Sequence, residues 1–326
     1  MKQRMEEMRK KSKKTKYRVT NWHDYDAALV TRGSVEVWMD ASSLASWYAE
    51  KLVGEHGGRS RLYSNAAILC AATFRRIFRL PLRATEGLLS SLLTMSGGVL
   101  KAPDHSTVSR RMADLPIHLA KRKKEKTVIV IDSTGAKVYG EGEWKVRQHG
   151  AGKRRTWKKI HIAIGEDGEV RAVEVTDNDT HDAQVEGKLL DKEDPDTKVS
   201  AFAGDGAYDH RKVYDDLALR GITTVLIPPR KDANIWFHGN RRDVSKHARD
   251  ENLRGIRKHG RNQWKILSGY HVRSLIENTM FRYKTMFGDK VASRKPENQT
   301  TELTLGCRIL NIMFYLGMPK SVPVVA

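Results

Sequence analysis

Thr127-Val128-Ile129-Val130-Ile131-Asp132 opens the half of the chain that decides its fold. Four β-branched apolar residues behind a threonine, stopped by an acid, are too short for a buried helix and read as a strand covered on both faces. Beyond it, Trp157–Ile164 alternates, turns at Asp167-Gly168 and is followed by Val170–Val175, so the first three strands are expected to form an antiparallel meander. Asp182–Leu190 then reads as a short helix, and Val199–Ala203 as a strand running into Gly204-Asp205-Gly206. Asp209–Leu219 is a helix stopped by Gly221, and Thr223–Ile227 a strand stopped by Pro228-Pro229. A basic irregular stretch leads to a long helix, about Gly269 to Phe287, expected to cover the sheet.

Three strands, helix, strand, helix, strand is the order of the ribonuclease-H-like fold, an α/β class built on a mixed sheet. In front of it the pattern is helical. Ser64-Asn65 caps a run from Ala66 to Phe78, Leu82–Met95 closes at Gly97-Gly98, and Asp104 caps a third helix that includes Arg110 and Arg111. These helices resemble a helix-turn-helix unit, and a plain helical bundle fits the same pattern equally well. The expected organisation is a basic tail over 1–20, a helical DNA-binding region over 21–120 and a catalytic domain over 125–320. The charged stretch Lys121–Lys126 marks the boundary.

The chain has 59 Lys+Arg against 39 Asp+Glu, a net charge of +20. A surface this positive calls for a polyanion, nucleic acid or anionic membrane. The apolar runs are too short to span a bilayer and the charged N-terminus has no signal-peptide pattern, so nucleic acid is the expected partner and membrane is not. Residues 1–20 hold nine Lys/Arg, a composition that suits both a solvated tail and a phosphate-contacting arm. Cys70 and Cys307 lie far apart in apolar helical patterns and read as free buried thiols of a reducing cytoplasm.

Breaking a phosphodiester requires an activated oxygen nucleophile and neutralised charge on the phosphate oxygens. Two Mg²⁺ ions about 3.5–4 Å apart, held by carboxylates, do both. Asp132 at the end of one apolar strand and Asp205 just past another would converge at one sheet edge. Either alone is more often a turn or cap residue. On the long helix, Tyr270, Arg273, Glu277 and Lys284 share an arc of about 60° at 100° per residue. An ordinary (i, i+4) Arg273–Glu277 pair explains two of these four and leaves Tyr270 and Lys284 unexplained.

The Tyr270, Arg273, Glu277, Lys284 spacing resembles bacterial insertion-sequence transposases of the DDE type. Six blocks are similar to the insertion sequence five family: Asp132-Ser133-Thr134-Gly135, Tyr139-Gly140-Glu141-Gly142-Glu143-Trp144, Lys153-Arg154-Arg155-Thr156-Trp157, Gly204-Asp205-Gly206-Ala207-Tyr208, Ile227-Pro228-Pro229-Arg230 and Phe281-Arg282-Tyr283-Lys284. They occur in order over roughly residues 20 to 320. The resemblance implies that Asp132, Asp205 and Glu277 are the catalytic, metal-binding triad for two Mg²⁺, with Mn²⁺ able to substitute. It also implies that Tyr270, Arg273 and Lys284 meet DNA phosphate beside them. A homodimer acting on the element's terminal repeats and on target DNA, in a bacterial cytoplasm at the nucleoid, belongs to the same implication.

The basic, aromatic-bearing connection over 140–159, with Trp144, Lys153, Arg154, Arg155 and Trp157, is expected to contact DNA, as are Arg110 and Arg111. Asp177, Asp179, His181 and Asp182 crowd one loop and read as turn and cap residues before metal ligands. Trp236 and Phe237 are expected to be buried under their loop. Two other functions fit parts of the pattern: a non-catalytic DNA-binding regulator derived from a transposase, and a ribonuclease-H-like nuclease that cleaves without joining.

Overall fold

The computed structural model describes residues 17–49, 62–138, 157–237 and 247–324. β1 (Tyr17–Val19) leads into α1 (Trp22–Thr31), α2 (Val35–Trp38), α3 (Ala41–Ala45), α4 (Asn65–Ile77), α5 (Leu82–Met95) and α6 (His105–Arg111). Next come β2 (Lys126–Val138), β3 (Trp157–Ile164), β4 (Val170–Asp177), α7 (Glu186–Asp191), β5 (Lys198–Ala203), α8 (Arg211–Leu219) and β6 (Thr224–Leu226). The chain ends with α9 (Ala248–His259), α10 (Arg261–Leu267), α11 (Ser274–Phe287), β7 (Lys290–Val291), α12 (Pro296–Leu316) and β8 (Ser321–Pro323).

The central sheet runs β4-β3-β2-β5-β6, with β2, β3 and β4 antiparallel and β5 and β6 parallel to β2. That is the ribonuclease-H-like topology. Alternation along β2 sends Val130 to one face of the sheet and Ile129 and Ile131 to the other, and two cores result. The smaller core joins Ile129, Ile131 and Phe202 to Leu189 of α7 and to Val213 and Leu217 of α8.

The larger core joins Val130, Ile160 and Ile162 to Ile276 and Tyr283 of α11 and to Leu303 and Ile309 of α12. Ile68 and Phe74 of α4 and Leu89 of α5 are part of this same core. Contrary to the expectation of a separate helical region, no break in packing follows residue 120. The charged stretch near 121–126 is docked: Arg122 N–H donates to Glu169 at 2.7 Å and Lys124 pairs with Asp167 at 2.6 Å. The structured part also begins earlier than the expected tail boundary, because β1 pairs antiparallel with β8. Residues 1–16 of that tail lie outside the described residues.

Between α4 and α12 lies a buried ion cluster. Glu302 accepts from Arg76 at 3.0 Å and Arg75 at 3.4 Å, and from the N–H groups of Ala292 at 3.0 Å and Ser293 at 2.9 Å. Arg76 also donates to the Tyr283 hydroxyl of α11 at 3.0 Å. Burial alone would raise the Glu302 carboxyl, but Arg76 and Arg75 outweigh it and hold it below the usual range.

Glu186, in the first turn of α7, has the opposite balance. Burial, then the neighbouring Asp216, pushes its carboxyl up to about 8. A raised folded-state value means the stabilisation is complete below the ordinary carboxyl range and disappears as pH climbs through about 8. Glu186→Gln should therefore raise Tm relative to the native chain at pH 8, by an amount worth on the order of a few kcal/mol. At pH 4, below the ordinary carboxyl value of 4.5, the two proteins should melt together. Equal melting at both pH values would place an ionised Glu186 in the fold.

Candidate active site

β2 is longer than its apolar run. After Val130 loses its parallel partner Ala203, the strand continues to Val138 against β3, with Asp132 opposite Ile162 and Lys137 opposite Trp157. Asp132 thus lies within the strand and does not end it. The segment Ser133-Thr134-Gly135 is too small and polar to announce a strand, and only the ladder to β3 makes it one. A Cβ on Gly135 would come within 3.1 Å of the Trp157 ring, so glycine is what lets that ring lie across β2.

Beyond Val130 and Ala203, β2 and β5 no longer pair, at the carboxyl ends of two parallel strands, where open α/β sheets place their ligands. Asp205 lies two residues past β5. Its carboxylate accepts from Ala207 N–H at 2.8 Å and so caps the single 3-10 turn Gly206–Tyr208. Gly204 makes room for this turn: a Cβ there would meet the Tyr208 ring at 2.9 Å.

The expected long helix is two pieces. Tyr270–Arg273 forms a 3-10 turn and α11 begins at Ser274. Residues i and i+3 of a 3-10 turn eclipse, so the turn by itself keeps Tyr270 and Arg273 on one side, and their neighbours separate them. Tyr270 leaves the exposed stripe, is buried, and stacks on Trp264 at 5.5 Å. Arg273 reaches across to β2. Its guanidinium bridges two acids, Nη2 to Asp132 Oδ2 at 3.1 Å and Nη1 to Glu277 Oε1 at 2.5 Å. The helical pair anticipated from sequence is present. The second arm, to Asp132, joins residues 141 positions apart and had no sequence signal.

Burial raises the Asp132 carboxyl, and the negative fields of Asp205 and Asp182 raise it further, against the opposing Ser133 N–H and Arg273. For Arg273, burial alone would lower the guanidinium; Asp132, Tyr270, Glu277 and Asp205 together outweigh it and hold it above the usual value. Asp132, Asp205, Glu277 and Arg273 are therefore one electrostatic unit. Among the described residues, no three acidic, His or Cys side chains stand in metal-holding geometry.

The other expected contacts divide. Lys284 is exposed on α11, two turns beyond Glu277, and has no carboxylate partner among the described residues. Trp157 is engaged within the sheet, over Gly135 and 5.5 Å from the Lys137 ammonium. Arg111 donates to the Tyr63 carbonyl and to Asn65, tying α6 to α4, whereas Arg110 is exposed. Trp144, Lys153, Arg154 and Arg155 lie outside the described residues. In the acidic loop Asp177 pairs with Lys158 at 2.7 Å, Asp182 pairs with Lys159 at 3.2 Å, and His181 forms a capping box with Gln184. Trp236 is partly buried beneath Arg249, 3.9 Å from its ring centre, while Phe237 stays 40% exposed.

A family model described as a transposase DDE domain matches residues 123–312, and a second model of the same description matches residues 30–141. Among solved structures, the chain is similar to the Drosophila P element transposase strand transfer complex. The identity is 11%, the match covers 84% of this chain and 86% of that one, and the TM-score is 0.32.

Proposed function

The chain belongs to the transposase DDE domain family, and from that premise we propose that it binds the ends of a mobile element, cuts the DNA there and joins the freed 3′ ends to target DNA. The observation that carries this reading is the Arg273 guanidinium lying between Asp132 and Glu277, with Asp205 in the same electrostatic unit. Acids that already converge on one cation where β2 and β5 part are suited to hold others.

The donors fit divalent metal. They are hard carboxylate oxygens, the ligands Mg²⁺ and Mn²⁺ prefer. Asp132, Asp205 and Glu277 would hold the metal. Bound there, the ions would activate an attacking water or 3′-hydroxyl and neutralise charge on the phosphate oxygens. The protein's own groups do the positioning. Rigid β2 carries Asp132, the capped turn holds Asp205, and α11 brings Glu277. Arg273 gives up its carboxylates to grip a phosphate beside the cleaved bond, where its planar fork suits two oxygens at once. Lys284 adds a point charge further along the strand, and Tyr270 is held by its packing on Trp264.

Arg110 on α6 and the basic residues Lys153, Arg154 and Arg155 extend the phosphate contacts, consistent with the net charge of +20. Two ends must be joined together, so the working unit in this reading is a homodimer. The motif blocks point within the family to insertion sequence five. Among the described residues no helix is long and apolar enough to cross a membrane.

A Mg²⁺-dependent assay on a labelled element end, scored separately for cut and joined product, tests the proposal. Both products are expected. Cutting without joining would make the protein a nuclease, and binding with neither product would make it a DNA-binding regulator.

A further inference from the structure

Helix α11 presents one exposed stripe: Ser274, Glu277, Asn278, Phe281, Lys284 and Thr285. Phe281 is its one apolar member. It is 71% exposed and has no ring or cation partner among the described residues. The other aromatics of the helix follow the ordinary pattern, Tyr283 and Phe287 being buried with their rings 5.2 Å apart. A single exposed aromatic is common on protein surfaces and by itself signifies little. The placement of this one is what matters. It lies one turn, about 6 Å, beyond Glu277 and about 40° around the helix from it. Lys284 follows on the same stripe. If Glu277 holds the metal that engages the cleaved phosphate, Phe281 stands only about 6 Å further along the helix, within reach of a nucleotide beside that phosphate.

A phenyl ring carries no charge and no donor, so what it offers DNA is its face. In a duplex both faces of a base are covered by its stacked neighbours. The base that takes up the ring must therefore be unpaired, as at a cut or frayed end. We propose that Phe281 is a stacking platform for an unpaired base next to the phosphodiester that is cut, with Lys284 on the following phosphate. The inference rests on the function proposed above and adds to it the form of DNA that the site prefers. A second copy of the chain laid on this stripe would cover Phe281 as well, but it would also close the face on which Glu277 stands.

The probes are a short duplex ending in an unpaired 3′ extension, with 5-iodouracil placed at successive extension positions, and a fully paired duplex of the same sequence. The native chain should bind the extended duplex more tightly. Light should cross-link one extension position to a peptide containing Phe281. Phe281→Ala should bind the extended duplex about 5- to 150-fold more weakly, the range for losing one stacked base. Its affinity for paired duplex and its Tm should not change. Phe281→Trp should keep the preference. If the native chain binds neither DNA, the transposase reading itself fails. If it binds both and Phe281→Ala keeps the preference for the extension, only the stacking role is overturned. Loss of dimer mass in Phe281→Ala with the preference intact would also overturn it, by assigning the stripe to a second copy.

Discussion

Asp132→Asn, Asp205→Asn and Glu277→Gln should each reduce DNA cutting by at least about 10³-fold, the equivalent of the several kcal/mol of charge stabilisation that bound metal supplies. Each substitution is isosteric, so the fold should be untouched. Asp205→Asn still offers an oxygen to Ala207 N–H and keeps the turn capped. DNA affinity should hold or increase, because a negative charge beside phosphate is removed. The three substitutions should also fail to add: once one carboxylate is lost, removing a second costs little, as for groups that act as a unit. Cutting by one of these variants at close to the native rate would remove that residue from the site.

Glu302→Ala should have the largest effect on stability. It strands two guanidinium groups, Arg75 and Arg76, each 7% exposed, and leaves the Ala292 and Ser293 N–H groups without their acceptor. Breaking a buried ion cluster by removing one member costs about 3–5 kcal/mol, a large part of the stability of an ordinary domain. Denaturant unfolding measures it. Replacing Arg75, Arg76 and Glu302 together by apolar residues of similar volume should recover most of the loss, because no buried charge then lacks a partner. Recovery would show the cost to be one of unpaired charge and not of lost packing.

The same cluster bears on domain structure, because it fastens α4 to α11 and α12 within a core that all three share. A fragment beginning at residue 121 should therefore not fold by itself.

What could be read from the sequence follows the strength of local signals. β3, β4, β5 and the helices at Asn65, Leu82 and His105 fall within a few residues of where alternation, caps and glycine stops put them. The caps are the expected ones, Ser64 accepting from Ala67 N–H and Asp104 from Ser106 and Thr107 N–H. Elements held by tertiary contact were not legible. α12 buries Asn298, Gln299, Thr301, Glu302 and Asn311 along with its apolar residues, so it shows no polar stripe to mark it as a surface helix. α9 has only Leu253 fully buried on its apolar side, within a strongly polar sequence. β1 and β8 pair across nearly the whole chain.

At the site, motif spacing pointed to Asp132, Asp205, Glu277 and Lys284, and the structure joins two of them, Asp132 and Glu277, through Arg273. The departure of Tyr270 was not legible, since its packing on Trp264 is a tertiary contact that helix periodicity does not report. The reach of Arg273 to Asp132 was hidden for the same reason that most long-range pairs are: nothing local encodes it.

The central claim is that Asp132, Asp205 and Glu277 together hold the divalent metal that serves DNA cutting. Locating the metal in the native chain tests it most directly. With Fe²⁺ in place of Mg²⁺, on protein bound to DNA, ascorbate and peroxide generate radicals that cut the polypeptide beside the ion. The account predicts backbone scission close to residues 132, 205 and 277, suppressed by excess Mg²⁺ and lost in Asp132→Asn. Scission concentrated elsewhere, or unchanged in Asp132→Asn, would contradict it.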